Sequence, residues 1–221
     1  KKFLETAETE YAWYYPMLKV MLLTGMRISE VGGLCWSDVD YENDIIHIRR
    51  ALYSQYEYGE RHLRFTTTKT INSVRDIPMM ADCKKMLKLQ KKNQDRIKKE
   101  LGKRYRSEYE EGLSDLVFTS SMGSAATRYN VAPIINKIVQ SINLREDYES
   151  VQENREPVYM KPVSPHALRR SFCTRCFEAG MNIKVVQKIM GHNNYATTAN
   201  IYTEVMPDKM NEEIELFNSK L

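Results

Sequence analysis

The 221 residues have an ordinary globular composition, with 42% hydrophobic and 28% charged residues. The 33 basic and 29 acidic residues leave a net charge of +4, which permits a nucleic-acid partner but does not require one. No apolar run approaches the roughly 18 residues of a membrane-spanning helix, and no signal-peptide pattern opens the chain. We therefore expect a cytoplasmic protein with no membrane partner.

Apolar residues at helical spacing predict a first helix over residues 11–24. Pro16 is expected in its first turn, where a missing N–H costs little, and Gly25 is expected at its end. A short second helix is predicted over residues 28–34.

Three segments rich in β-branched and apolar residues follow, and we expect them to form one small antiparallel sheet of three strands. They span residues 44–52, 61–68 and 74–79. The stretch 54–60, which is rich in Tyr, Gln and Gly, is interpreted as the loop of a long hairpin.

A basic helix is predicted over residues 82–101. Between Lys84 and Arg106 the chain carries many Lys and Arg residues, with Asp95 and Glu100 as the acids. The pattern is typical of a solvated helix face, and the alternative is a surface that faces phosphate groups.

The C-terminal half is predicted to be mainly helical. Residues 116–130 and 144–162 are expected to be mostly loop. The predicted helices span residues 132–142, 165–179, 182–190, 194–203 and 207–219, with Asn182 as the N-cap of the third of these.

The cysteines Cys35, Cys83, Cys173 and Cys176 are interpreted as reduced packing residues. The last two have the Cys-x-x-Cys spacing of redox and metal sites. A zinc site needs four ligands, and no second pair lies nearby, so this alternative is weak and no metal is expected.

Histidine, arginine and tyrosine recur in one C-terminal block. His166 and Arg169 stand three residues apart, which places them on one face of a helix. Gly-His192 and then Thr-Thr-Ala-Asn-Ile-Tyr202 follow. Taken singly, His166 could be a helix cap, His192 a helix-end cation, and Tyr195 a competitor of Tyr202.

These motifs resemble the C-terminal signature of the tyrosine recombinases, or phage-type integrases. Leu-Leu-Thr-Gly-Met-Arg27-Ile-Ser-Glu30 is similar to the first-arginine motif of that family, and Thr-Lys69-Thr-Ile-Asn-Ser-Val-Arg75 resembles its lysine hairpin. The resemblance covers about residues 11–210 in the family's order. It is closest to the integrases of conjugative transposons.

The resemblance implies an α+β, mainly helical catalytic fold with a small three-stranded antiparallel sheet. Residues 1–221 would be the catalytic domain, with DNA-binding domains upstream of this chain. The partners would be double-stranded DNA, three further copies in a tetramer, and an excisionase or DNA-bending protein. A C-terminal helix at 207–221 would be exchanged between protomers, and the protein would act at the bacterial nucleoid.

The resemblance also implies the site. Tyr202 would be the nucleophile that forms a 3′-phosphotyrosyl link. Arg27 and Arg169 would bind the DNA phosphate, because planar guanidinium groups suit its oxygens. Lys69 would contact DNA and protonate the leaving 5′-oxygen.

Further residues would support this reaction, which needs no metal or cofactor. His166 would accept the tyrosine proton and His192 would hydrogen-bond the phosphate. Glu30 would orient the other groups, and Arg75 is interpreted as structural. Of the adjacent Arg169 and Arg170, the His-x-x-Arg spacing selects Arg169.

Three alternatives remain at this point. The first is a type IB topoisomerase, which uses the same phosphate chemistry, and the second is a DNA-binding regulator that has lost catalysis. A metal-dependent rolling-circle nuclease is disfavoured, because it needs two histidines one residue apart and the sequence has none.

Overall fold

The computed structural model describes residues 1–58, 60–67, 74–105 and 115–219. Within them the helices are α1 (Lys2–Glu10), α2 (Tyr15–Thr24), α3 (Ile28–Gly32), α4 (Ala81–Leu101), α5 (Arg128–Gln152), α6 (Pro165–Glu178), α7 (Ile183–Met190) and α8 (Tyr195–Asn218). The strands are β1 (Val39–Asp40), β2 (Ile45–Ile48), β3 (Arg50–Glu57), β4 (Glu60–Thr67) and β5 (Arg75–Pro78). The predicted fold class, mainly helical with a small antiparallel sheet, is confirmed.

Helix α2 is the centre of the core, and it packs against α1, α4 and α6. It begins at Tyr15 and not at residue 11 as predicted, with Pro16 in its first turn as expected, and Gly25 ends it in the left-handed conformation with φ of 64°. Leu18, Val20 and Met21 are fully buried on different sides of the helix. A helix that is apolar all round must be covered on every side, and α2 therefore fixes where its neighbours lie.

The strand assignment from sequence was wrong in part. Residues 44–52 do not form one strand, because the chain changes sheet between Ile48 and Arg50. Strand β2 pairs with β1 and β5 in a three-stranded antiparallel sheet, whereas β3 and β4 form a separate hairpin.

The expected hairpin loop at 54–60 is mostly strand, because β3 continues to Glu57 and pairs with β4 from Glu60. Tyr53 and Tyr58 on this hairpin are exposed.

Helix α5 is longer than predicted, since the polar residues 144–152 continue it. Buried Glu146 explains the difference. Its carboxylate accepts hydrogen bonds from Arg155 Nη1, from the backbone N–H of Val158 at 2.9 Å and from Lys2 Nζ at 3.3 Å. These long-range contacts stabilise a polar helical segment that lacks a local apolar pattern.

The two ends of the chain also differ from expectation. Helix α1 was not predicted, and it buries Phe3 and Ala7. The helices expected at 194–203 and 207–219 are one continuous helix, α8. Residues 106–114, which include the end of the predicted basic segment, lie outside the described residues.

Cys173 and Cys176 are buried on α6 beside Phe172 and Phe177. Burial raises the pKa of each thiol to about 11, so both remain protonated at neutral pH. This environment suits packing residues and not reactive thiolates. In the described part of the chain, no helix has the length and apolar character needed to cross a bilayer.

We predict that Gly25→Ala destabilises the fold more than Gly180→Ala. Both glycines have positive φ, of 64° and 78°, so each substitution carries backbone strain of about 1–2 kcal/mol. At Gly25 an added Cβ would also lie 2.7 Å from Met190 Sδ and collide with the Phe172 ring, whereas the space at Gly180 is open. Overpacking should add about 1–3 kcal/mol in urea unfolding. Equal losses for the two variants would contradict this account of α2.

Candidate active site

Three arginines from distant parts of the sequence converge on the C-terminus of α7. Each donates a hydrogen bond to a different carbonyl in one run of three residues. The bonds are Arg75 Nε to Ile189 O at 2.6 Å, Arg169 Nη2 to Met190 O at 2.5 Å, and Arg27 Nη2 to Gly191 O at 2.8 Å. Carbonyls at a helix end lack intrahelical partners and form the negative end of the helix dipole. The end of α7 therefore holds three cations close together.

Glu30 balances part of this charge from a buried position with 3% exposure. Arg75 donates from both Nη atoms to its two carboxylate oxygens at 2.9 Å. Arg27 donates from Nη1 at 2.7 Å and from its backbone N–H at 2.8 Å. Burial raises the pKa of Glu30, but the hydrogen bonds and charges of Arg75 and Arg27 outweigh burial and lower it to about 2. Glu30 is therefore ionised at neutral pH, and it holds the guanidinium groups of Arg75 and Arg27 in place.

Arg169 is the most deeply buried of the three arginines, with 2% exposure. Its Nη1 donates to Gly25 O at 2.5 Å, so one side chain joins the ends of α2 and α7. Burial and the charge of Arg27 lower its pKa to about 9, which leaves it charged at neutral pH. Arg170, the next residue in the chain, is exposed and pairs with Glu204. This difference agrees with the choice of Arg169 over Arg170 as the candidate site residue.

His192 follows Gly191 and is buried, with its Nδ1 atom 2.8 Å from Thr198 Oγ1. Burial lowers its pKa to about 4, and the charges of Arg169, Arg27 and Arg75 act in the same direction. The ring is therefore neutral at physiological pH, with one nitrogen held by Thr198.

Tyr202 lies one turn beyond Thr198 on α8, and residues four apart share a helix face. Its ring meets the Phe177 ring edge-on, with 5.0 Å between the centroids. The contact of Thr198 with His192 therefore ties the part of α8 that carries Tyr202 to the arginine cluster.

A pocket of about 380 Å³ opens between α3, α5 and α6. It is lined by Arg27, Ile28, Ser29, Arg128, Ser164, Pro165, His166 and Arg169. No acidic side chain is among the described residues that line it. His166 is exposed there, and Ser164, not His166, caps α6 by accepting the Ala167 N–H at 3.1 Å. The charge of this lining suits an anion.

The structure brings five of the predicted residues into one region: Arg27, Glu30, His166, Arg169 and His192. Tyr202 is connected to them through α8, although it does not line the pocket. Lys69 lies outside the described residues. Arg75 is structural, as expected.

Two residues of the site were missed. Arg128 lies in a segment that was expected to be loop, whereas it is the first residue of α5. The signal for this helix start is the capping box formed by Thr127 and Asn130. Thr198 was part of a motif but had been given no role.

A profile described as the phage integrase family matches residues 1–209.

The chain belongs to the phage integrase family.

Relatives of this integrase-family chain include a tyrosine recombinase XerC-like protein of Caldanaerobacter subterraneus, 30% identical over 88% of the chain and 46% of the relative. The transposase from transposon Tn916 of Enterococcus faecalis is 31% identical over 97% of the chain and 48% of the relative. The chain therefore spans about half the length of these curated relatives.

Solved structures agree with the fold. The Tn1549 transposon integrase, in complex with circular intermediate DNA, has a TM-score of 0.76 at 28% identity, covering 97% of this chain and 64% of that one. The XerA recombinase has a TM-score of 0.66 at 21% identity, over 96% of this chain and 62% of that one, which supports the fold alone.

We predict that Glu30→Gln destabilises the protein at neutral pH by about 3 kcal/mol, because it leaves buried guanidinium groups without their anion. The lowered pKa of Glu30, about 2 against an ordinary 4.5, stabilises the folded state above pH 4.5, and this contribution is lost as the pH falls towards 2. Urea unfolding between pH 7 and pH 2.5 should show that loss in the parent protein and much less of it in Glu30→Gln. Glu149→Gln, at a half-exposed carboxylate, is the control. A control variant that loses as much stability would refute the assignment.

Proposed function

We propose that this chain is the catalytic part of a site-specific recombinase that cleaves and rejoins double-stranded DNA through Tyr202, for integration and excision of a mobile element. The observation that carries the proposal is the pocket whose charged lining is basic throughout the described residues. A phosphodiester is an anion of suitable size. The Tn916 and Tn1549 relatives, named as a transposase and an integrase of transposons, support the mobile-element role.

Arg27 and Arg169 are the proposed phosphate ligands. Both line the pocket, and each donates a hydrogen bond to a carbonyl at the α7 end. Guanidinium groups that are fixed before the reaction can stabilise the charge that develops on the phosphate oxygens without rearranging. Neutral His192 can donate one hydrogen bond to the phosphate while Thr198 contacts its other nitrogen.

Strand cleavage proceeds by attack of the Tyr202 oxygen on phosphorus. A phenol has a pKa near 10, so its proton must be taken up during attack, and His166 at the pocket edge is the proposed acceptor. The 5′-oxygen leaves as its bond to phosphorus breaks, and Lys69 is proposed to protonate it. The 3′-phosphotyrosyl link conserves the bond energy, so attack by a 5′-hydroxyl restores the DNA and frees Tyr202.

We predict that a duplex with a nick beside the cleavage site traps a covalent adduct with the parent protein in EDTA. Tyr202→Phe should form none, because it lacks the nucleophilic oxygen. Tyr195→Phe, a matched change on the same helix at a tyrosine with 47% exposure, should retain adduct formation. The adduct is measured as a slow band on a denaturing gel. An adduct that persists in Tyr202→Phe would refute the assignment of the nucleophile. If the parent binds DNA but forms no adduct, even when joined to its full-length remainder, a DNA-binding regulator becomes the better interpretation.

The remaining parts of the proposal concern assembly. Because the chain spans about half of its relatives, we propose that DNA-binding domains lie outside it and that an excisionase or DNA-bending protein assists. We also propose a tetramer on DNA in which the end of α8 packs on a neighbouring copy. Ile214 and Phe217 on that segment are exposed by 54% and 63%, which suits a surface that is covered on assembly.

We predict that replacing Ile214 and Phe217 with Ser lowers the yield of tetramer on DNA, because apolar contact area is lost. The matched control replaces Leu144 and Tyr148, both 69% exposed on α5, with Ser. Native gels and light scattering measure the assembly. Unchanged assembly of the α8 variant, or an equal loss in the control, would contradict exchange through α8.

A further inference from the structure

A second cleft lies beside His192 at the C-terminus of α7. Its volume is about 560 Å³, and it is lined by Val74, Arg75, Asp76, Lys184, Gln187, Lys188, Gly191 and His192. The cleft is joined to the site, because Gln187 Nε2 donates to His192 O at 3.1 Å and Gly191 O accepts from Arg27. The proposed cleavage reaction assigns no role to its lysines.

Two lysines of α7 add exposed positive charge to this cleft, which is also lined by Arg75 and Asp76. Lys184 and Lys188 are exposed and four residues apart, so both project from one helix face with Cβ atoms about 6 Å apart. Neither forms an ion pair with any residue that the structure describes. The acid of the cleft, Asp76, has its Oδ1 atom 2.7 Å from His47 Nδ1. The lysine charges are therefore available to a ligand.

We infer that Lys184 and Lys188 bind a second backbone phosphate of the DNA, next to the phosphate that is cleaved. This inference rests on the proposed function. Each strand of a duplex carries one phosphate for about every 3.4 Å of helix axis, so a duplex with one phosphate in the pocket between α3, α5 and α6 presents further phosphates to the neighbouring surface. Lysine suits this role as a compact charge that can follow a phosphate without fixed geometry. The two residues position DNA and take no part in bond breaking.

The test compares the salt dependence of DNA binding in two charge-matched variants. The first is Lys184→Gln with Lys188→Gln. The control is Lys88→Gln with Lys92→Gln, which removes two exposed lysines at the same spacing on α4, outside the cleft. Affinity for the duplex is measured between 50 and 200 mM salt by fluorescence anisotropy. Loss of one phosphate contact should reduce the slope of log K against log salt by about 0.9 in the first variant and leave it unchanged in the control.

Two further readouts separate this inference from the proposed function. At saturating DNA, the first variant should form the Tyr202 adduct at the parent rate, since its lysines do not touch the reacting atoms. Lys184→Arg with Lys188→Arg should restore the slope. A parental slope in the first variant, or an equal reduction in the α4 control, would overturn the inference even if the parent forms adduct normally. Failure of the parent to form adduct would instead count against the proposed function.

Discussion

The buried carboxylate of Glu30 is the constraint on which the rest of the site depends. A charge with 3% exposure is tolerated only when it is paired and hydrogen-bonded, and Arg75 and Arg27 supply both. Arg75 uses its two Nη atoms on Glu30, and its Nε reaches Ile189 O at 2.6 Å. The same carboxylate thus joins β5, α3 and, through Arg75, the end of α7.

The arginines outnumber the acid that pairs with them, and this imbalance gives the site its chemical character. Three guanidinium groups face one carboxylate, and the remaining charge is offset by carbonyl dipoles at the α7 end. The same field, together with burial, keeps His192 neutral by lowering its pKa to about 4. Folding therefore assembles like charges in advance, and in the proposed reaction an anionic phosphate would complete an arrangement that the protein leaves unbalanced.

The sequence predicted those parts of the fold that local residues determine. Pro16, Gly25 and Asn182 mark the ends of α2 and α7 correctly, because caps and breakers act within a few residues. The sheets were assigned wrongly, because the change of partner after Ile48 depends on pairing with distant strands. The polar half of α5 was missed for a related reason, since it depends on Glu146 contacts with both earlier and later residues. In the site, motif residues could be named in advance, whereas Arg128 required the tertiary fold.

Helix α7 has only eight residues, and a helix of that length has little stability of its own. Its position must come from its contacts: Val186 and Met190 in the core, and the three arginines at its end. The arginines are in turn held by its carbonyls, so neither side of this arrangement can be ordered without the other. The proposed phosphate ligands therefore take their positions only when α2, α3, α6, α7 and β5 have packed together. This interdependence couples the geometry of the proposed reaction to the cooperativity of the fold.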